Sequence, residues 1–250
     1  MKIPEHVETL VAFGALFVAN HSGGKDSQVQ LIKLLEVVPP EQILVVHASL
    51  GPMEWPGAME LARDQAAASN LPFIIAKAGK TLLEMVERRF EKRPEVPSFP
   101  SSSHRQCTSD LKRGPIQREV RRYTKANGFK VIVNCLGIRA QESPGRAKRK
   151  DFSRMSISNR VNTWYEWLPV HNLSVAEVFG AIQAAGQRPH YAYDLGNERL
   201  SCVFCIMGSK NDLCNGATHH PELLAEYSAM EARTGYTMHM SRVPLAEIVA

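Results

Sequence analysis

Short apolar runs alternate with amphipathic segments along the first half of the chain. Four apolar runs have the length of buried strands, and they lie at residues 14–20, 43–47, 72–76 and 130–135. Four other segments are predicted to be helices, at residues 26–37, 59–68, 82–90 and 109–126. Strands that alternate with helices favour right-handed crossovers and a mostly parallel sheet covered on both faces. The pattern therefore predicts the α/β class, with a Rossmann-like, doubly wound parallel sheet.

The C-terminal third has a different pattern. A capping-box signal at Ser174 opens a helix, the tract 188–215 is rich in loop-forming residues, and a last helix is predicted to start near Pro221. We therefore expect an α/β core over 1–160 and a loop-rich, helical extension over 161–250. The extension is expected to pack on the sheet, so that the whole chain forms one structural unit.

A glycine-rich string lies between the first predicted strand and the first predicted helix. The string is Ser22-Gly23-Gly24-Lys25-Asp26-Ser27. Its glycines permit a tight turn that brings backbone N–H groups close to an anion, and the helix N-terminus adds partial positive charge. Ser22 and Ser27 are candidate hydroxyl donors, Lys25 a candidate phosphate ligand, and Asp26 a candidate ligand of Mg²⁺. The alternative is a helix cap with glycines for the turn, but the complete string favours a phosphate site.

A second motif follows the fourth predicted strand and begins with Gly137 and Arg139. Ligands of parallel sheets bind beyond the carboxyl ends of the strands, where both motifs are expected. Arg139 and Arg146 suit bidentate contacts to phosphate. Glu142 is a candidate for holding Mg²⁺ or orienting an arginine, with a purely structural ion pair as the equal alternative. We therefore predict that the two motifs form one crevice.

Composition narrows the class of protein. The 250 residues carry a net charge of +5, and basic residues concentrate between Arg139 and Arg160. This segment suits an anionic ligand such as a nucleotide phosphate, a sulfate ester or a nucleic acid, with an ordinary solvated loop as the alternative. No apolar stretch approaches the length of a membrane span, and the first residues are too polar for a secretory signal, so a cytoplasmic, non-membrane protein is expected.

Five cysteines remain to be explained. An odd number without an export signal argues against a disulfide framework. Cys202 and Cys205 form a C-x-x-C pair, Cys214 lies nine residues on, and Cys107 precedes a predicted helix. Four thiolates can hold either zinc or an iron–sulfur cluster, and a C-x-x-C pair can also be a redox dithiol or two core residues. Cys135 lies on an apolar strand and is predicted to belong to the core.

These motifs together resemble a known family. The glycine-rich string resembles the signature of the N-type ATP pyrophosphatases, and within them the chain is similar to the phosphoadenosine phosphosulfate (PAPS) reductase-like family over about residues 14–235. The second motif, which resembles that family's second signature, is Gly137-Ile138-Arg139-Ala140-Gln141-Glu142-Ser143, followed by Arg146. The resemblance implies an adenine nucleotide alpha hydrolase fold that binds ATP or a PAPS-like nucleotide. It also implies that Val46 and His47 flank the adenine, and that Arg139 contacts phosphate or sulfate.

The resemblance also bears on the cysteines. Some members of the group carry a 4Fe-4S cluster on four cysteines, which implies Cys107, Cys202, Cys205 and Cys214 as ligands here, with zinc as the alternative. The tandem cysteines of assimilatory reductases are represented by Cys107 alone.

Three functions are compatible with these features. In the first, the protein reduces PAPS or adenylyl sulfate, but the chain has no cysteine after Cys214 to match the C-terminal nucleophile of such reductases.

In the second, Lys25, Asp26 and Arg139 promote the cleavage of ATP at the α-phosphate, and an adenylated acceptor then receives sulfur. A nucleic acid is the candidate acceptor of this second reaction. By analogy with similar proteins, the role would be in nucleic-acid modification or defence. Its sulfur comes from a donor protein such as a cysteine desulfurase, or a thiol acts as reductant. In the third, the protein is a nucleotide-binding accessory without catalysis. The sequence favours the second.

Overall fold

A computed structural model describes residues 4–250 and contains one six-stranded sheet. The strands are β1 (Leu16–Asn20), β2 (Ile43–Ser49), β3 (Phe73–Lys77), β4 (Val131–Cys135), β5 (Phe152–Arg154) and β6 (Thr163–Trp167). Their order across the sheet is β3-β2-β1-β4-β6-β5. β1 is parallel to β2 and β4, and β4 is parallel to β6, whereas β5 runs antiparallel to β6 at the edge. The predicted α/β class with a mostly parallel, Rossmann-like sheet is therefore confirmed.

Eleven α-helical segments accompany the sheet in the described part of the chain. They are α1 (Glu5–Ala12), α2 (Lys25–Leu35), α3 (Ala58–Ala68), α4 (Leu82–Lys92), α5 (Gln106–Thr108), α6 (Gly114–Asn127), α7 (Pro144–Ala147), α8 (Val175–Ala184), α9 (Lys210–His219), α10 (Pro221–Thr234) and α11 (Leu245–Val249). A π-helical turn at Ser109–Arg113 joins α5 to α6, so the helix predicted over 109–126 begins with a wider turn. α10 ends at Thr234 and is followed by the C-cap Gly235, which adopts a left-handed conformation at φ 71°.

Two predictions of local structure were incomplete. α1 was not predicted, and α9 lies in the tract that was expected to be loop-rich. The signal for α9 was present, because the Ser209 hydroxyl accepts the backbone N–H of Asp212 and caps the helix. Leu213 on this helix is fully buried, so tertiary packing stabilises a helix of only 10 residues.

The sheet order places the two sequence motifs at the same edge. β1 lies between β2 and β4, and the register pairs Ala19 of β1 with Cys135 of β4. The Asn20 side chain donates hydrogen bonds to the Asn134 side chain (2.9 Å) and to the Cys135 carbonyl (2.8 Å). Since both strands are parallel, the segments that follow Asn20 and Cys135 leave the sheet side by side.

The chain divides into two compact units. Unit 1 contains the residues up to His47 together with Gly57–Ile75 and Gln117–His190, and unit 2 contains Ala48–Pro56, Ala76–Ile116 and Tyr191–Ala250. This division differs from the expected boundary at residue 160, because β6 pairs with β4 over five residues and so belongs to the sheet of unit 1. Each unit is assembled from segments that are distant in sequence.

Each unit has its own apolar core. In unit 1, Phe17 of β1 and Trp167 of β6 make an edge-to-face contact with ring centroids 6.1 Å apart. Cys135 is buried in the same cluster, which confirms the prediction that it is a core residue, and burial raises the pKa of its thiol well above the ordinary value. In unit 2, the rings of Phe204 and Tyr227 are both fully buried and lie 5.4 Å apart.

Across residues 4–250, no helix combines the length and the apolar character that crossing a bilayer requires.

The capping box of α8 generates a stability prediction. The Glu177 backbone N–H donates to the Ser174 hydroxyl (3.3 Å), and the Ser174 N–H donates to the Glu177 carboxylate (2.7 Å). We expect Ser174→Ala to lower the free energy of unfolding by about 1 kcal/mol, measured by urea denaturation. Ser156→Ala, at an exposed serine, is the matched control. Equal losses in the two variants would contradict a specific capping contribution.

Candidate functional site

The glycine-rich string forms a tight turn between β1 and α2. Gly23 has φ +76°, and a Cβ added there would lie 2.5 Å from the carbonyl oxygen of Ala58. Gly24 is the N-cap of α2, which begins at Lys25. Only glycine fits at Gly23, since a side chain would be strained by the backbone conformation and would overlap backbone atoms that cannot rotate away.

The second motif reaches the first through another glycine. A Cβ on Gly137 would lie 2.8 Å from the carbonyl carbon of Asp26 and 2.9 Å from the backbone nitrogen of Ser27. The segment after β4 therefore packs directly on the first turn of α2. The structure thus brings the two motifs together in unit 1, as the sheet order requires.

An ion-pair cluster also joins the two motifs. The Arg139 Nε donates to Asp26 Oδ1 at 2.5 Å, and the Lys25 Nζ lies 3.6 Å from Asp26 Oδ2. The side chains of Arg139 and Lys25 are only 4% and 3% exposed. Because removing a charge from water is costly, both cations need anionic neighbours, and one carboxylate serves both.

Glu142 and Arg146 extend this cluster. The Glu142 carboxylate accepts the Arg139 backbone N–H at 2.9 Å and forms an ion pair with Arg146. The guanidinium of Arg139 also donates to Gln141 Oε1 (3.0 Å) and to the Leu173 carbonyl (3.3 Å). Of the roles considered for Glu142, the observed contacts are those of a residue that orients the backbone of one arginine and pairs with another.

The contacts of Asp26 bear on the expected Mg²⁺. Its two carboxylate oxygens face Arg139 and Lys25, so a divalent cation would compete with two positive charges for one carboxylate. Mg²⁺ in nucleotide sites prefers carboxylate oxygens together with substrate phosphates. The donor set around Asp26 does not fit this preference, and the contacts assign Asp26 to the positioning of the two cations.

His21, which was not predicted as a site residue, holds the glycine-rich loop through hydrogen bonds. Its Nδ1 accepts the Gly23 backbone N–H at 3.1 Å, and its Nε2 lies 2.6 Å from Gln65 Oε1. This pair of contacts requires a neutral ring with the proton on Nε2. Burial lowers the pKa of His21 to about 4, the Gln65 hydrogen bond opposes that shift, and the charge of His47 adds to it. The only sequence signal was a histidine directly before the string.

Three glutamines continue the network behind His21. Gln65 Nε2 donates to the Gln28 carbonyl and to Gln187 Oε1, both at 3.0 Å. Gln28 Nε2 donates to Gln187 Oε1 (2.9 Å) and to the Arg188 carbonyl (3.0 Å). Buried polar networks of this kind fix a single arrangement of the backbone that they contact. The glutamines come from three distant segments, so no local pattern identified them.

Val46 and His47, which the resemblance placed beside the adenine, are buried at 0% and 1% exposure. The Val46 carbonyl accepts the His21 backbone N–H (2.9 Å), and His47 Nδ1 lies 2.8 Å from the His21 carbonyl oxygen. These contacts brace the start of the loop. Their role beside an adenine stays a prediction.

Unit 2 contains a cavity of about 400 Å³. Its walls come from the segments that follow β2 and β3 and from the start of α4, and the lining includes Ser49, Leu50, Lys77, Lys80, Thr81 and Leu111. None of these residues was predicted from the sequence. Ser49 and Lys77 end β2 and β3, at the edge of the sheet where ligands of such folds bind.

Three of the four predicted metal ligands come together in unit 2. The sulfur of Cys202, and then those of Cys205 and Cys107, raise the pKa of the Lys112 ammonium that lies among them. Burial raises the pKa of Cys202 to about 11, and Lys112 opposes that shift. Cys214 lies on α9 and is not among the groups that act on Lys112.

The prediction of a four-cysteine metal site is therefore not supported. Over residues 4–250, no three or more His, Cys, Asp or Glu side chains are arranged to hold a metal ion. Lys112 brings positive charge among the thiols of Cys107, Cys202 and Cys205, which opposes the binding of a metal cation there. These residues do not fit a 4Fe-4S cluster or a zinc ion, and we derive no step through either.

The fold is an α/β fold with a mostly parallel, Rossmann-like sheet, and a glycine-rich turn joins β1 to α2. The sequence model of the phosphoadenosine phosphosulfate reductase domain matches residues 17–207, which is more than half of the chain, and the chain belongs to that family. The resemblance found in the motifs is thereby confirmed.

Curated relatives are similar over much of the chain. An uncharacterised protein of Methanocaldococcus jannaschii is 24% identical over 217 residues, which cover 86% of this chain and 47% of that protein. An uncharacterised 37.8 kDa protein of Escherichia phage 186 is 26% identical over 133 residues, which cover 53% of this chain and 39% of the relative. The chain thus spans less than half the length of these two relatives.

Solved structures confirm the fold. PAPS reductase from Candida auris, in a phosphate complex, has a TM-score of 0.50 and 17% identity, with 81% of this chain and 97% of that chain covered. The FMN adenylyltransferase of Candida glabrata, in complex with FAD and inorganic pyrophosphate, has a TM-score of 0.50 and 14% identity, with 76% and 55% covered. At these identities the likeness concerns the fold.

Gly14 and Gly23, which both have positive φ, provide a matched test of the loop. Gly14 has φ +78° and open space around its Cβ position, whereas Gly23 at φ +76° meets the backbone of Ala58. We expect Gly14→Ala to cost about 1 kcal/mol of unfolding free energy from backbone strain alone. Gly23→Ala should cost about 2 kcal/mol more from the overlap and should also weaken ATP binding, measured by calorimetry. If Gly14→Ala and Gly23→Ala changed the unfolding free energy equally and changed ATP binding equally, the tight packing of the loop would be contradicted.

The neutral His21 generates a pH prediction. Its folded pKa of about 4 lies below the ordinary value of 6.5, so between these values the unfolded state binds the proton more readily. We expect the unfolding free energy to fall as the pH is lowered from 6.5 to 4, with a His21 contribution of up to about 3 kcal/mol. His21→Gln should remove that part of the pH dependence. The exposed His104→Gln variant should retain it, and the same slope in wild type and His21→Gln would contradict the assignment.

Proposed function

We propose that this protein cleaves ATP between the α- and β-phosphates and adenylates an acceptor oxygen, which prepares the acceptor for substitution by sulfur. The observation that carries the proposal is the cluster in which Lys25 and Arg139 share the Asp26 carboxylate at the start of α2. Membership of the PAPS reductase domain family supports an adenine nucleotide as the ligand.

The charge of the cluster suits a pyrophosphate leaving group. Lys25, Arg139 and Arg146 bring three positive charges, against the two negative charges of Asp26 and Glu142. The N-terminus of α2 adds partial positive charge at the same place. Negative charge accumulates on pyrophosphate as it departs, and donors held in advance stabilise that charge most effectively. Asp26 and Glu142 act as positioning residues, because they hold the cations rather than contact the nucleotide.

The proposed reaction has two substitutions. An oxygen of the acceptor attacks the α-phosphorus of ATP, the bond from that phosphorus to the bridging oxygen breaks, and pyrophosphate leaves with the electron pair. A sulfur nucleophile then attacks the acceptor carbon, and AMP leaves with the oxygen that had been adenylated. The sulfur comes from a persulfide on a donor protein, and a thiol reductant releases it as the sulfide that attacks the carbon.

Reduction of PAPS or adenylyl sulfate is the second candidate. The family match over residues 17–207 favours it, since the family is described by that reaction. The same loop would then hold the phosphosulfate, and a thiol would attack sulfur in place of an acceptor attacking phosphorus.

One assay separates these functions. Purified protein is incubated with ATP and Mg²⁺, with and without added acceptors, and pyrophosphate, AMP, ADP and phosphate are measured. Pyrophosphate and AMP, or an adenylated acceptor, are expected. ADP and phosphate as products would contradict the proposal, and sulfite release from PAPS with a thiol reductant would establish the second candidate. Binding of ATP without turnover for any acceptor would make the protein an accessory.

Arg139 provides the matching variant. Lysine keeps the positive charge but loses the fork that contacts Asp26 and Gln141 together. We expect Arg139→Lys to lower the rate of pyrophosphate release by about 100-fold, the scale for removing one preorganised donor. Arg122→Lys, at an exposed ion pair with Glu119, is the control and should stay within about twofold. Equal rates in wild type and Arg139→Lys would exclude Arg139 from the reaction.

A further inference from the structure

We infer that unit 1 binds the phosphate backbone of a nucleic-acid strand along a strip of four basic side chains. This basic strip consists of Lys148, Lys150, Arg154 and Arg160. The inference deepens the proposed function and rests on it only for the role of the bound strand as the acceptor.

The positive charge of the protein is concentrated in one segment. Residues 139–160 contain seven basic and two acidic residues, an excess of five, which equals the net charge of +5 of the whole chain. The remaining 228 residues are therefore balanced in charge. Such a local excess creates a positive potential in one region rather than a weak field over the whole surface.

Ion pairs account for only part of this charge. Arg139, Arg146 and Arg149 pair with Asp26, Glu142 and Glu166. The members of the basic strip are all exposed, and within residues 4–250 they make no ion pair. Four positive charges thus face solvent along a short stretch of chain.

The backbone of the segment is held in place. The Ser143 hydroxyl caps α7 by accepting the Arg146 N–H (3.2 Å), and the Asp151 carbonyl accepts the Leu168 N–H (2.7 Å). β5 then pairs with β6, and Met155 N–H donates to the Trp164 carbonyl at 2.8 Å. An ordinary solvated loop lacks such anchoring. Because the backbone is already ordered, the segment loses less conformational entropy when it binds an anionic polymer.

The strip begins beside the candidate active site. Arg146, two residues before Lys148, pairs with Glu142, and Glu142 accepts the backbone N–H of Arg139. All of these residues belong to unit 1. A strand bound along the strip would therefore pass close to the cluster that is proposed to activate ATP.

The composition around the strip favours nucleic acid over an acidic protein. Protein interfaces usually contain an apolar core, but Val161 is the only large hydrophobic side chain between residues 144 and 162 of the described structure that is strongly exposed, at 68%. Ser156 and Asn159 are exposed polar neighbours, and Asp151 is the one exposed acidic residue between residues 139 and 160. Tyr165, which pairs with Arg154 across the β5–β6 ladder, is half-buried and stacks on Phe152. Polar, strongly basic surfaces with adjacent aromatic rings are typical of nucleic-acid binding.

Fluorescence anisotropy with a labelled single-stranded oligonucleotide and its duplex tests the inference. Four phosphate contacts predict a slope of log affinity against log salt of about −3 for a single strand, or roughly 50-fold between about 50 and 200 mM salt. The charge-removal variant is Lys148→Gln, Lys150→Gln, Arg154→Gln and Arg160→Gln. It should lose about 50-fold in affinity at the lower salt and most of the salt dependence.

The matched control removes four exposed cations elsewhere, through Arg88→Gln, Lys92→Gln, Lys125→Gln and Lys210→Gln. The two variants have the same net charge, and the control should stay within about threefold of wild type because distant exposed charges are screened. An equal loss in the control would overturn the inference, since the effect would then belong to net charge. Tighter binding of a polyglutamate peptide than of either oligonucleotide would also overturn it.

Two further measurements separate loss of nucleic-acid binding from misfolding and from failure of the proposed function. Arg154→Gln alone should reduce the salt slope by about 0.7 if the fourfold variant does not fold, and an unchanged slope would contradict the inference. ATP binding should be unchanged in both variants. Nucleic-acid binding without pyrophosphate release would contradict only the proposed function, whereas pyrophosphate release without nucleic-acid binding would contradict only this inference.

Discussion

The close approach of two backbone segments determines the rest of the candidate site. Gly137 packs against the first turn of α2 at a distance that no side chain would permit. This contact brings Arg139 within 2.5 Å of Asp26, and the buried ion pair then holds Lys25 beside the same carboxylate. Without the glycine, both cations would lose their shared partner and would be costly to bury. A steric constraint at one residue thus fixes the electrostatics of the site.

The support beneath the loop depends on an uncharged histidine. His21 accepts one hydrogen bond and donates another, which only the neutral ring can do, and its burial enforces that state. A protonated ring would leave the Gly23 N–H facing a second donor. The network through Gln65 ties the loop to distant parts of unit 1, so the loop is held before any ligand arrives. Such preorganisation is the property that electrostatic catalysis requires.

The cysteines show what sequence spacing leaves undecided. Cys202 and Cys205 flank a turn, and Cys107 joins them from another segment, so a metal site was a reasonable expectation. The folded chain instead brings the Lys112 ammonium among these thiols and keeps Cys214 on a separate helix. Metal binding depends on the direction of each side chain, and sequence spacing carries no such information across distant segments.

The sequence by itself determined the α/β class, the strand–turn–helix position of the glycine-rich loop, and the pairing of Gly137 and Arg139 with it. These features are encoded locally, in periodicity, in glycine positions and in the rule that parallel strands end at one edge. Only the tertiary structure decided that Asp26 serves two cations, that His21 is neutral, and that the chain divides into interleaved units. Those properties arise from burial and from contacts between residues far apart in sequence, which no local pattern records.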